Sequence, residues 1–276
     1  MPGKNFLFLL AVPLCLASCV IRRYTYNPAT IYNPVFAKKG ESDATVRFTG
    51  GPYSATGTSS GHNRGNEVQA AYSVTKHLFI DGTYTHQSEK DAYDSLGPSM
   101  QSGYSDVNYE RELWQAGAGY YYYFTDERSS IVISSYYGWG SSHIHELGRK
   151  DNANYSNFLN YKSQVFSVQP SVNFAVGSLV QPSLILRYTW VNNRDITTDY
   201  SADFIESSGL NHIEHLKYIA FGFNLAVCPK KVPWLKLQGQ LLFTSNGETV
   251  DYPHYARTYN GSLGLSFDVS RMGRMR

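Results

Sequence analysis

Two short runs carry side chains able to do chemistry together. His143-Ile144-His145-Glu146 and His212-Ile213-Glu214-His215 each bring imidazole and carboxylate within a few residues. In extended chain, His143 and His145 share a face, as do His212 and Glu214, so a metal pair or a carboxylate-oriented base is conceivable at either place. Neither run has two histidines four apart on a helix, the spacing a helical metalloprotease needs. No Gly-x-Ser-x-Gly elbow, glycine-rich phosphate cradle or basic aromatic stripe accompanies them. The expectation is solvated histidines at strand ends, no cofactor, no metal, no catalytic residue and no nucleic-acid partner. A hydrolase at the rim of a small barrel is the alternative they leave open.

A second candidate chemistry lies at the front of the chain. MPGKN and then FLFLLAVPLCLA form a short basic region and an apolar stretch too short to span a bilayer as a helix, which reads as an export signal over residues 1–18. Leu16-Ala17-Ser18-Cys19 looks like a bacterial lipobox, in which the Cys19 thiol becomes a thioether to diacylglycerol. Cys15 would leave with the signal, and Cys228 alone would remain without a disulfide partner. Residues 19–42 are then expected as lipid anchor and extended tether, with Pro28 and Pro34 keeping it irregular.

The elements that must position these groups are strands. The chain has 23 tyrosines, yet only 17% of its residues are charged where about 25% is usual. Low charge with a mean hydropathy of -0.35 and no long apolar run suits strands that alternate lipid-facing and lumen-facing residues. The net charge of +2 selects no partner. Period-two alternation recurs throughout: Phe166, Val168, Pro170, Val172, Phe174 and Val176 oppose Ser167, Gln169, Ser171 and Asn173. About ten strands follow, near 43–50, 66–73, 78–87, 107–124, 130–142, 158–176, 179–191, 211–227, 234–245 and 256–270, most of them long enough to cross hydrocarbon. Short turns at 74–77, 125–129, 177–178 and 228–233 alternate with long loops at 51–65, 88–106, 143–157, 192–210 and 246–255. That organisation predicts an all-β, transmembrane, up-and-down antiparallel barrel over 43–276.

Charge and aromatic placement add to this. The long loops after the first are rich in acids, Glu89, Asp106, Glu146, Asp195, Asp203 and Glu206 among them, whereas turns and tail carry Lys76, Arg128, Lys230, Lys231 and Arg271. The rings of Trp114, Tyr120, Tyr122 and Phe124 fall on one face of a strand, and Trp139 and Trp190 sit at the other rim, as an aromatic girdle at head-group depth requires. Tyr121 and Tyr123 then point inward beside Gly117 and Gly119. The alternation also turns Arg47, Glu67, Gln69, Asp81, Gln115, Gln169, Asn173, Arg187, Asn224, Lys236, Gln238, Gln240 and Asp268 inward. In a narrow barrel such groups hydrogen-bond one another and close the lumen. A narrow water or ion channel is the alternative.

The segment YNPVFAKKGE at 32–41, followed by NEVQAAYSVTKHLFI at 66–80, resembles the start of lipid-anchored outer-membrane β-barrel proteins of the Bacteroidota, a largely uncharacterised group. The matching runs are Asn33 to Glu41 and Gln69 to His77, about fifty residues at the front. The resemblance implies a barrel and an outer-membrane address and brings no catalytic residues. Val20-Ile21-Arg22-Arg23 departs from the acidic residues that favour surface display in that phylum, so the anchor is expected on the periplasmic side. The functional expectation is a structural or interaction role through acidic, tyrosine-bearing extracellular loops, with outer-membrane lipid, lipopolysaccharide or another envelope protein as partner.

Overall fold

The computed structural model describes residues 24–31, 33, 34, 36, 38–53, 59–93, 104–124, 129–150, 153–174, 176, 179–246, 255–256 and 259–272. Ten strands close into one antiparallel barrel: β2 (Ser42–Tyr53), β3 (Ser59–Ser73), β4 (Leu78–Tyr93), β5 (Tyr104–Tyr123), β6 (Ser130–Lys150), β7 (Ala153–Asn173), β8 (Val180–Thr198), β9 (His215–Val227), β10 (Leu235–Asn246) and β12 (Tyr259–Asp268). Each pairs with its neighbour in sequence, and β12 closes the wall by pairing with both β10 and β2. Apart from the barrel sheet, β1 (Tyr24–Tyr26) and β11 (Tyr255–Ala256) form a short parallel pair.

Closure answers a physical demand. In hydrocarbon every backbone N–H and C=O needs a partner, and a barrel leaves no edge. The side chains then sort by parity. Along β6, Ile131, Ile133, Tyr137 and Trp139 are exposed on the outer wall, while Val132, Ser134 and Tyr136 are buried. Pro170 sits in β7 where pairing with β8 lapses between Val168 and Ser171 without a change of register, as a residue with no N–H to donate allows.

The Gly-Ala alternation of β5 has a packing cause. Ala116 and Ala118 face outward. Gly117 and Gly119 face in, where a Cβ on Gly119 would lie 2.2 Å from the Phe79 ring and one on Gly117 would lie 2.4 Å from Tyr136. Large inward rings on neighbouring strands are admitted because β5 supplies no side chain there.

The strands match the expected positions at the short-turn end and outrun them at the other. β4 continues to Tyr93, β6 to Lys150 and β8 to Thr198, and β7 begins at Ala153, so much of what reads as the long loops 88–106, 143–157 and 192–210 is barrel wall. The reason is that a wall beyond the membrane needs no apolar outer face, so the greasy alternation that marks a strand in sequence fades while the backbone ladder continues. At ~3.3 Å per residue and ~40° tilt, a strand of this length reaches about 50 Å along the axis, against an apolar band of about 25 Å. The last part of the 192–210 region does leave the wall. It forms a short helix, Ala202–Ser208, capped by Ser201 and stopped by Gly209 in the left-handed region, and then a 3-10 turn over Leu210–His212. These shorten the expected strand 211–227 to His215–Val227, and the expected strand 256–270 ends at Asp268, where a last helical turn begins.

On the β9–β10 side the last described rung of β10, Asn246, pairs with Tyr218, and Tyr218 pairs in turn with Thr189.

Candidate functional site

The lumen is not filled by wall side chains alone. The segment read as an external tether runs through it. Residues 25–31, 34 and 36 are buried, and this stretch meets inward side chains of β2, β3, β4, β5, β7, β8, β9, β10 and β12. At the short-turn end, Gly40 N donates to Ser73 O at 2.9 Å, and the Phe36 ring packs edge-on against Tyr121 at 6.3 Å while Tyr123 Oη donates to the Phe36 carbonyl. Asn33 bonds Asn173 and accepts from Ser171 Oγ at 3.1 Å. At mid-depth, Ile31 N donates to Gln240 Oε1 at 2.9 Å, and Gln240 Nε2 returns a bond to Ile31 O at 2.9 Å. Further along, Asn27 bonds Glu89 of β4, and Thr25 O accepts from Tyr161 Oη at 2.5 Å. The Tyr26 ring stacks on Tyr218 with centroids 4.7 Å apart. The path therefore enters at Lys38 beside the short turns and leaves at Tyr24 beside the long loops.

Thr30 is the point where the inward charges meet. Its backbone N–H donates to Glu67 Oε2 at 2.9 Å, its hydroxyl bonds Glu67 Oε1, and Arg47 donates from Nη1 to Thr30 Oγ1 at 3.0 Å and to Ile31 O at 2.8 Å. Gln69 and Thr85 complete the Glu67 shell, and Arg187 donates to Ala29 O at 3.3 Å and to Gln169 Oε1 at 2.7 and 3.0 Å. An extended chain leaves backbone groups unpaired on both sides. Here side chains of β2, β3, β8 and β10 take the place of a neighbouring strand. Burying these charges without partners would cost several kcal/mol each.

The other inward residues divide by depth. Lys236 pairs with Asp43 at 3.3 Å, and Asp43 also accepts from Ser266 Oγ at 2.7 Å, near the short-turn end. Asp268 accepts from Ser270 Oγ at 2.6 Å at the same end, and Asp81 is buried beside Gly117 and Tyr136. These do not join the cluster around Thr30. In the upper lumen Arg111 pairs with Glu89 at 3.1 Å, an ion pair the sequence reading did not single out because it treats Glu89 as a loop residue. Above it, Val107, Tyr109, Ile144, Leu159 and Tyr161 form an apolar layer closed by Tyr200, Leu210 and Ile213 from the loop between β8 and β9. Tyr200 Oη donates to Glu146 Oε2 at 2.7 Å and Asn193 Nδ2 to Ile213 O at 2.7 Å, which tie that loop down.

Several acids assigned to a loop surface thus lie inside. Glu89, Asp91 and Glu146 are buried, Asp106 pairs with Lys90 at 2.7 Å and Asp195 with Lys162 at 2.8 Å. Asp203, Glu206 and Glu214 are exposed. Asp94, Asp151, Glu248, Asp251, Arg22, Arg23 and Arg128 lie outside the described residues, as does Cys19.

The histidine runs do not assemble a centre. His143 and His145 stack at 6.4 Å on the outer wall, bonded to Asn160 and Ser156, whereas Glu146 turns inward. Among the described residues no three His, Cys, Asp or Glu side chains are grouped as a metal site would need.

The girdle residues all face outward. Trp114 pairs with Trp139 across β5 and β6, and Phe166 with Trp190 across β7 and β8, rings 5.4 Å apart, while Tyr120, Tyr122 and Phe124 form the opposite band. From Trp114 in β5 to Phe124 just past its end, ten residue steps at ~3.3 Å each and ~40° tilt separate the bands by about 25 Å, the height of an outer-membrane apolar belt.

Comparison with known proteins agrees with this architecture. The translocator domain of the autotransporter NalP from Neisseria meningitidis matches with a TM-score of 0.53 at 10% identity, over 83% of this chain and 88% of that one. The outer membrane protease OmpT from Escherichia coli aligns at 0.43 and 7% identity over 83% and 93%, and Neisserial surface protein A at 0.31 and 12% over 83% and 96%. No family model and no curated protein matches the chain. The fold is that of the outer-membrane β-barrels. At these identities it carries no activity with it.

Proposed function

We propose that this protein is a lipid-anchored bacterial outer-membrane barrel, closed to solutes, whose role is structural or interactive and is exercised at the long-loop mouth. The observation that carries the reading is the occupied lumen: the chain from Tyr24 to Phe36 fills the space a channel would use and is held there by buried charges. The two aromatic bands and the apolar wall between them support the membrane setting. Exposed carboxylates on the long-loop side include Asp203, Glu206 and Glu214, and Lys162, Arg194 and Lys217 are exposed cations of β7, β8 and β9. Such a mixed rim suits cation-bridged lipopolysaccharide phosphates or a docked envelope protein.

Two measurements test this. In planar bilayers the purified barrel is expected to be silent, and a steady pore conductance would sink the closed-barrel reading. Replacing Asp203, Glu206 and Glu214 with their amides is expected to weaken partner co-purification or divalent-cation effects on outer-membrane integrity. Unchanged behaviour in both would remove the interaction role from this rim.

A further inference from the structure

We propose that the barrel carries its own N-terminus across the membrane, from the short-turn end at Lys38 to the long-loop mouth at Tyr24, and that a lipid on Cys19 therefore enters the leaflet on the long-loop side. The inference rests on the outer-membrane reading above and adds its topology. It reverses the expected periplasmic anchor, which assumes a tether outside the wall.

The direction of the path is set by contacts at both ends. Phe36 lies against Tyr121 and Phe79 next to the His77 turn, and Lys38 N donates to Glu41 Oε2 at 3.1 Å just before β2 begins. Twelve residues earlier, Tyr24 pairs with Tyr255 in the connection between β10 and β12, beyond the last rung of β10. The cluster around Thr30 lies between, so the segment cannot double back within the lumen it fills.

Chain length decides the leaflet. Cys19 precedes Tyr24 by five residues, which span at most about 17 Å when fully extended. Returning to the short-turn side would require crossing an apolar belt of about 25 Å. The leaflet on the long-loop side is the one within that reach. The residues in between suit that position: Val20 and Ile21 are apolar, and Arg22 and Arg23 carry guanidinium groups that bind phosphate head groups bidentately. A sequence rule drawn from acidic sorting signals does not apply when the barrel itself delivers the anchor.

The test uses the full-length protein in its native envelope. A short epitope is inserted after Arg23 in one version and within Ala202–Ser208 in another, and antibody binding is compared on intact and permeabilised cells. Both epitopes are expected to label on intact cells. If the loop epitope labels on intact cells while the N-terminal one needs permeabilisation, the threaded topology is overturned and the outer-membrane barrel reading survives. If neither labels on intact cells, both fall.

A cross-link checks the path independently. With Cys228→Ser to remove the native thiol, the pair Asn33→Cys and Ser171→Cys is expected to oxidise and join the two peptides in a mass spectrum, and a folded barrel without that link would refute the threading. The mature chain is expected to carry a diacylglycerol mass that Cys19→Ser removes. An unmodified mature N-terminus would overturn the lipid half of the proposal.

Discussion

The wall of the barrel and the chain it encloses are both extended, and they are stabilised in opposite ways. On the wall, backbone bonds run strand to strand and the outward side chain at each position needs only to be apolar: Ile133, Phe166, Leu186, Phe221 and Leu241 serve equally. Inside, the described residues of the segment from Tyr24 to Phe36 have no sheet partner except at its very end, and they are held by particular side chains such as Glu67, Arg47, Gln240 or Asn173. A strand tolerates substitution within a class because its ladder is made by the backbone. The enclosed chain does not, because its ladder is made by residues chosen one at a time.

This contrast can be broken from the inside first. Arg47→Met leaves Glu67 buried without its guanidinium neighbour and is expected to lower stability by about 3–5 kcal/mol, read from urea unfolding in detergent; pairing it with Glu67→Gln should restore much of the loss. If the single change is no worse than the double, the buried charges do not hold the segment. Next comes the wall, where Leu186→Arg near the middle of the apolar belt should cost about 2–4 kcal/mol in lipid vesicles and far less in soft detergent. A loss of equal size in both media would mean that Leu186 faces protein.

Gly119→Val tests the boundary between the two regions. The added side chain meets Phe79 and Ser134, and overpacking of this kind is expected to cost about 1–3 kcal/mol, relieved when Phe79 is shortened to Leu. The smallest effect belongs to the girdle. Trp139→Ala removes a cross-strand partner of Trp114 and should cost about 0.2–1 kcal/mol, with a blue-shifted tryptophan emission marking the head-group depth of the ring that remains.

How much of this was legible depended on which solvent each face meets. Outward positions were readable from parity, since lipid selects apolar residues at every second place, and Trp114, Tyr120, Tyr122, Phe124, Trp139 and Trp190 all lie on the outer wall. Inward polar positions were readable for the same reason, and Arg47, Glu67 and Arg187 are buried in the lumen. Their shared partner was not. The inward groups were expected to bond one another, whereas Glu67 and Arg47 both bond Thr30. The signal available was a surplus of polar groups on the inner wall and a polar segment, Asn27 to Asn33, with both side-chain donors and acceptors and no charge of its own. Strand length at the long-loop end was illegible because Glu89, Asp91 and Glu146 look like solvent residues, yet they point into a wall that has outlasted the membrane.

The amino-acid order alone determined the period-two pattern, the number of crossings, the side of the wall each residue takes and the depth of the aromatic bands, because each of these is set by near neighbours and by the solvent they meet. Only the tertiary structure decided that the interior holds residues 25–31, 34 and 36, and in which direction that segment runs. Those depend on closure, which creates a polar enclosure whose inward groups must be satisfied, and on which stretch of chain is close enough to satisfy them.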